Sequence, residues 1–137
     1  MADELIKADG LRKEYDEVVA LDNLDLEVRA GEILGLLGPN GAGKTTALRM
    51  IASILTPTSG SASICGYDCH SQELKAKQNL GFLSGDTALY KRLNTREILR
   101  YFGKLHEMPN ELIDIRIEQL VKELDMAEFI DLSLIHI

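Results

Sequence analysis

The sequence lacks long apolar runs, a basic N-terminal stretch and an excess of positive charge. Its apolar runs are short, such as residues 33–37, whereas a membrane-spanning helix needs about 20 apolar residues. The first four residues, Met-Ala-Asp-Glu, carry acids where a signal peptide carries basic side chains. We therefore expect a cytoplasmic protein that does not itself cross a membrane. Because the formal net charge of -7 would repel a phosphate backbone, nucleic acid is not an expected partner.

Cysteine is also scarce. Cys65 and Cys69 are the only two, which fits a reducing compartment. Together with His70 they could supply three metal ligands, but a closed structural zinc site needs four. We expect instead one inward-facing cysteine on a strand and one in the turn that follows, with no metal.

The first half of the chain has the pattern of short strands followed by a helix. Residues 23–28 alternate polar and apolar, which predicts a strand with one buried face. After a turn at Ala30-Gly31, the apolar run at 33–37 predicts a strand buried on both faces. Apolar residues at helical spacing predict a helix over 45–55, which the Pro- and Gly-containing segment 56–60 ends. Residues 61–65 predict another short strand.

The second half has the pattern of amphipathic helices. Asn94 is a candidate N-cap, with Glu97 placed to complete a capping box. Pro109 suits the first turn of the next helix. Both helices carry one apolar face, which we expect to pack in a core. The two faces consist of Ile98, Leu99, Tyr101, Phe102 and Leu105, and of Ile113, Ile117, Leu120, Val121 and Leu124.

A glycine-rich loop lies between the predicted strand at 33–37 and the predicted helix. Its residues fit the pattern G-x-x-x-x-G-K-[ST] at every fixed position: Gly38, Pro39, Asn40, Gly41, Ala42, Gly43, Lys44 and Thr45. Glycines let backbone N–H groups converge on a phosphate chain, and the helix N-terminus adds partial positive charge. Lys44 would reach the β- and γ-phosphates, and the Thr45 hydroxyl would bind Mg²⁺. The spacing does not match the dinucleotide-binding G-x-G-x-x-G pattern.

The loop and its surroundings resemble the ATP-binding subunit of an ABC transporter. The matching residues are Ala20-Leu21-Asp22, Gly31-Glu32-Ile33, Leu36 through the loop to Thr46, and Pro57-Thr58-Ser59-Gly60. The resemblance implies an α/β fold: a P-loop NTPase core with an antiparallel β-subdomain and an incomplete helical subdomain. It also implies ATP and Mg²⁺ as ligands.

The resemblance assigns further residues to the site. Tyr15 stands where the family has an aromatic residue that stacks on adenine, and the alternative is a half-exposed tyrosine at the end of a strand. Gly85 stands where the family has a glutamine that reaches Mg²⁺, and the neighbouring Asp86 is a candidate substitute oxygen ligand or a surface turn acid. The stretch around them is similar to a branch of the family associated with sodium extrusion and other exporters.

The resemblance also implies partners. The family couples ATP hydrolysis to transport by separate membrane-spanning permease subunits, on the inner face of the membrane, and works as a pair of ATP-binding subunits. The family's Leu-Ser-Gly-Gly signature, its Asp-Glu strand end and its switch histidine are missing from these 137 residues. We therefore expect ATPase activity in a longer parent and none in this chain alone. Two alternatives are a soluble ATPase of this family without a membrane partner and a nucleotide-responsive module that does not hydrolyse ATP.

The last six residues have a different origin in our interpretation. Residues 132–137 continue no apolar helical face and carry no cap or glycine. They are also the translation of CTG TCT CTT ATA CAC ATC, a transposon end used to fragment DNA for sequencing libraries. We expect the domain to occupy residues 4–131 and residues 132–137 to be a non-native adapter tail. A genuine short apolar tail is the alternative.

Overall fold

The computed structural model describes residues 4–85 and 92–133, which form two compact units that divide after Leu83. The first unit is a four-stranded antiparallel sheet with two helices. Its elements are β1 (Glu4–Tyr15), β2 (Val18–Arg29), α1 (Lys44–Ile51), β3 (Ser59–Ile64), β4 (Tyr67–Asp68) and α2 (Glu73–Gln78). The strand order is β2-β1-β3-β4.

The first unit has its own apolar core under the sheet. Leu11 of β1, Met50 of α1 and Ile64 of β3 are almost fully buried. They pack with Ala8, Ile51, Ala62, Cys69 and Ala76. The alternation at 23–28 is confirmed as part of β2, and Ala30-Gly31 is confirmed as a turn. The predicted strand at 61–65 is β3, shifted by two residues at its start and one at its end.

The predicted buried strand at residues 33–37 is wrong. These residues form no strand, and Ile33 and Leu37 are 98% and 94% exposed. A strand exists only through hydrogen bonds to a neighbour, and no strand among the described residues pairs with this segment. The apolar run at residues 33–37 is therefore not part of the four-stranded sheet.

The second unit consists of two helices, α3 (Thr95–Leu105) and α4 (Asn110–Glu123), and the turn that follows them. Ile113 and Ile117 of α4 are buried together with Ile130, and Leu99 of α3 packs against them. The Asn94–Glu97 capping box is confirmed: the Asn94 side chain accepts from Glu97 N, and the Glu97 side chain accepts from Asn94 N.

The predicted apolar face of α3 is only partly buried. Leu99 contacts the core, but Tyr101, Phe102 and Leu105 are exposed by 47–58%. Gly103 is the buried residue of α3. It lies so close to α4 that an added Cβ would be 2.7 Å from Ile113 Cγ1. Leu124, which directly follows α4, is the exposed member of the second predicted face.

Among the described residues, no helix has the length and apolar character needed to span a bilayer.

Candidate functional site

The glycine-rich loop at residues 38–45 leads directly into α1. Gly41 and Gly43 have φ values of 83° and 85°, in the left-handed region that L side chains rarely adopt. The Ala42 amide donates to Pro39 O at 3.3 Å, which folds the loop back on itself. Gly43 is the N-cap of α1, and its carbonyl accepts the first helical bond from Ala47 N at 2.8 Å. Two glycines at these positions allow the reversal and the immediate start of the helix.

The start of α1 also lies against β2. A Cβ on Gly43 would lie 2.6 Å from Ala20 O and 2.9 Å from Leu21 Cδ1. No side chain fits at that separation, so a residue other than glycine would push the helix away from the strand. Position 43 therefore requires glycine for two separate reasons: its left-handed backbone angle and its close contact with β2.

Lys44 places its ammonium group within the loop. Its Nζ donates to both Gly38 O and Pro39 O at 2.6 Å, so the side chain curls back over the preceding turn. The first turn of α1 holds no acidic residue. The partial positive charge of the helix N-terminus and the Lys44 charge are therefore not opposed by a carboxylate of that turn.

The other predicted loop residues line the same turn. Thr45 is exposed at the first turn of α1, and Thr46 is half-buried beside it. Pro39, Asn40 and Ala42 are exposed. Thr45 is exposed, and a hydroxyl oxygen is one of the ligands that Mg²⁺ accepts.

Tyr15 is the last residue of β1, and it pairs with Val18 at the start of β2. Its side chain is 48% exposed. The Lys13 ammonium lies over the ring, 4.9 Å from its centroid. Sequence reasoning missed Lys13, because it predicted no strand at residues 4–15 and because the pairing of β1 with β2 is irregular between Lys13 and Glu14.

Gly85, at the predicted glutamine position, and the neighbouring Asp86 stay predictions as site residues. Asp86 lies outside the described residues. Gly85 is exposed at a turn, and a Cβ there would meet no atom of the described residues within 4 Å.

The expectation of an inward-facing cysteine on a strand is wrong, because Cys65 and Cys69 both lie in turns and β3 ends at Ile64. Cys69 is buried and its thiol donates to Ile51 O at 3.2 Å, whereas Cys65 is exposed just after β3. Burial raises the pKa of the Cys69 thiol. Across residues 4–85 and 92–133, His, Cys, Asp and Glu side chains form no group of three or more that could hold a metal ion.

The chain is similar in sequence to known proteins. A family model described as "ABC transporter" matches residues 21–135. The chain is 43% identical over 115 residues to the ABC transporter ATP-binding protein NatA of Bacillus subtilis (strain 168), covering 83% of this chain and 47% of that protein. It is 38% identical over 128 residues to the daunorubicin resistance ATP-binding protein DrrA3 of Streptomyces coeruleorubidus, covering 93% and 40%. It is 37% identical over 118 residues to the Nod factor export ATP-binding protein I of Cupriavidus metallidurans, covering 86% and 39%.

Solved structures share the fold. One described as the structure of an ATP-binding subunit of an ABC transporter superposes with a TM-score of 0.82 at 24% identity, over 97% of this chain and 55% of that one. Another, cbiO1 from Clostridium perfringens, gives 0.79 at 22% identity, over 96% and 54%. The chain thus spans about half the length of the proteins it matches. The match to the family model and the identity to these relatives show that the chain belongs to the ABC transporter family, among its ATP-binding subunits.

Proposed function

We propose that the full-length protein binds Mg²⁺ and ATP at residues 38–45 and couples ATP hydrolysis to transport by separate membrane subunits. The observation that supports this most directly is the position of Lys44 Nζ, which lies 2.6 Å from two carbonyls of a glycine-rich turn at a helix N-terminus. An ammonium group there faces the place where a phosphate chain would meet the loop amides.

The roles of the site residues follow from their chemistry. The amides of the loop and the α1 dipole would stabilise the phosphates, and Lys44 would stabilise negative charge on the transferring phosphoryl group. Tyr15 would stack on the adenine ring, which offers a flat apolar face. The loop residues Pro39, Asn40, Ala42 and Thr46 would shape the same pocket.

Mg²⁺ would arrive with the nucleotide. Thr45 contributes one hydroxyl, and Mg²⁺ in such sites takes its other ligands from phosphates, water and one or two carboxylates. We propose Asp86 as one of those carboxylates, directly or through water. Unchanged ATPase activity in Asp86→Ala would count against that role.

We propose two kinds of protein partner: membrane-spanning permease subunits and a second ATP-binding subunit, with the protein held at the inner face of the cell membrane. Support comes from relatives named as ATP-binding proteins of transporters and from cbiO1, described as part of the ABC transporter complex cbiONQ. A relative named as a Nod factor export ATP-binding protein supports export as the direction of transport. Energised uptake of substrate into whole cells would contradict export.

We also propose that the domain occupies residues 4–131 and that residues 132–137 are an adapter tail. The family match extends to residue 135, so the DNA sequence must decide. A natural stop codon after Ile137, in DNA recovered without a transposon, would overturn the adapter interpretation.

The test of the main proposal is ATP binding by the full-length protein and its Lys44→Ala variant. The variant loses a charge-assisted contact to phosphate, about 1.5–3 kcal/mol, so ATP affinity should fall by at least about tenfold. Lys104→Ala, on exposed α3 surface, is the matched control and should bind ATP as the wild type does. Equal ATP affinity in wild type and Lys44→Ala, measured by calorimetry, would overturn the assignment.

A further inference from the structure

Lys13 and Tyr15 form a pair at the end of β1. The Lys13 Nζ lies over the Tyr15 ring, 4.9 Å from its centroid, which is within the range of a cation–π interaction. Tyr15 remains 48% exposed. One face of the ring is therefore covered by an ammonium group, while a large part of the side chain is still accessible.

Lys13 is itself held in place. Its Nζ donates to Thr56 O at 2.9 Å. Two residues on, Thr58 N donates to Arg12 O at 2.8 Å, and the Thr58 hydroxyl accepts from Glu14 N at 3.0 Å. Three successive residues of β1 are thus bonded to the segment that follows α1.

This arrangement joins the ring to the helix that begins in the phosphate-binding loop. Lys13 is bonded to Thr56, which follows the C-terminal end of α1. The N-terminal end of the same helix begins at Lys44, in the glycine-rich loop. A side chain that is already ordered binds a ligand with a smaller loss of conformational entropy. Lys13 therefore has the geometry to fix the Tyr15 ring before a nucleotide arrives.

We propose that Lys13 is a positioning residue, which holds the Tyr15 ring so that the adenine of ATP stacks on the face opposite the ammonium group. The inference rests on the proposed function, because it takes Tyr15 as the adenine contact. Lys13 acts through Tyr15 and not on the phosphates. It therefore affects how tightly the adenine ring is bound, and not how tightly the triphosphate is bound.

The experiment separates the two halves of the ligand. Calorimetry of the full-length protein gives the affinities of ATP and of inorganic triphosphate, both with Mg²⁺. Lys13→Met, which keeps the apolar stem, should weaken ATP binding about two- to twelvefold, the size expected from ordering one side chain, and leave triphosphate binding unchanged. Lys13→Arg should restore ATP affinity, because a guanidinium also lies over aromatic rings.

Two controls complete the design. Lys7→Met changes a lysine of the same strand that pairs with Asp9 at 3.0 Å, and it should bind both ligands as the wild type does. In a Tyr15→Ala background, Lys13→Met should have no further effect on ATP affinity.

The inference is overturned if Lys13→Met weakens ATP and triphosphate equally, if ATP affinity is unchanged or increased, or if the loss persists undiminished in the Tyr15→Ala background. A wild-type protein that binds neither ligand would overturn the proposed function and this inference with it. Tight wild-type binding with an unaffected Lys13→Met would overturn this inference alone.

Discussion

Gly43 combines a left-handed backbone with a close contact, and the two effects can be separated by substitution. Gly43→Ala adds a Cβ at φ 85° and 2.6 Å from Ala20 O, whereas Gly31→Ala adds one at φ 77° with no atom within 4 Å. The left-handed backbone alone costs about 1–2 kcal/mol, so both variants should lose stability. Only Gly43→Ala should also lose ATP affinity, because only there must the loop move away from β2. Calorimetry and urea unfolding of both full-length variants test this, and equal ATP affinity in both would contradict it.

Asp68 predicts a pH dependence of stability. Its carboxylate accepts from Ser71 N and Ser71 Oγ, both at 2.7 Å, and from His70 N at 3.1 Å. These bonds, first that from Ser71 N, hold the pKa of Asp68 below its ordinary value. The stabilisation is therefore present above the unfolded pKa of about 3.9 and is lost as the pH falls through the lower folded pKa.

Asp68→Asn should remove this dependence, since an amide does not titrate. The difference in free energy of unfolding between wild type and Asp68→Asn should be constant near neutral pH and shrink below about pH 4. Urea unfolding of the full-length proteins between pH 3 and pH 7 measures it. A difference that grows as the pH falls would have the wrong sign.

At the scale of elements, the capping box makes α3 the helix with the best-defined start. Asn94→Ala removes the acceptor for Glu97 N and should cost about 1 kcal/mol. Asn110→Ala is the matched control, because Asn110 is the first residue of α4 and that helix has no side-chain cap. Hydrogen exchange of α3 amides in the full-length protein should rise in the first variant only. Equal exchange in both variants would show that the cap contributes nothing.

The elements that sequence predicted correctly are those specified by local signals. The cap at Asn94, the turn at Ala30-Gly31 and the alternation in β2 each depend on residues within a few positions of one another. The short β4 and α2, with two and six residues, carry no period long enough to be recognised. The segment at 33–37 failed for another reason: its pattern is apolar, but strand formation depends on distant neighbours that the pattern does not specify.

The candidate site shows the same division between local and distant information. The glycine-rich loop was recognisable in the sequence because all its residues are consecutive, and Gly41 and Gly43 have left-handed backbones in the structure. Phosphate binding by this loop stays a prediction. The contact between Gly43 and Ala20, and the bond from Lys13 to Thr56, join positions 23 and 43 residues apart. No spacing in the sequence specifies either of them.

For the whole molecule, the exposed run at residues 33–37 predicts the behaviour of the 137-residue chain by itself. Ile33 and Leu37 are almost fully exposed, and such apolar surface promotes association. The isolated chain should self-associate in sedimentation experiments and release no phosphate from ATP, as the family's signature and catalytic carboxylates are missing from it. Lys44-dependent phosphate release from the isolated chain would contradict the second expectation.

Replacing both Ile33 and Leu37 with serine should reduce that self-association. Leu74→Ser is the control, because Leu74 is also exposed, at 80%, but belongs to the short helix α2. Association that is equally reduced by Leu74→Ser would show that the run at 33–37 is not the cause.

The same segment has a consequence for synthesis on the ribosome. The antiparallel sheet and its core use residues 4–80, so they can form early, while residues 33–37 pair with none of the described strands. In a protein as long as NatA, of which this chain spans 47%, a further stretch of similar length would still have to be made. At about 5–20 residues per second, the apolar segment beside the glycine-rich loop would wait for roughly 7 to 27 seconds. That interval is long enough for a chaperone to bind the nascent chain at this segment.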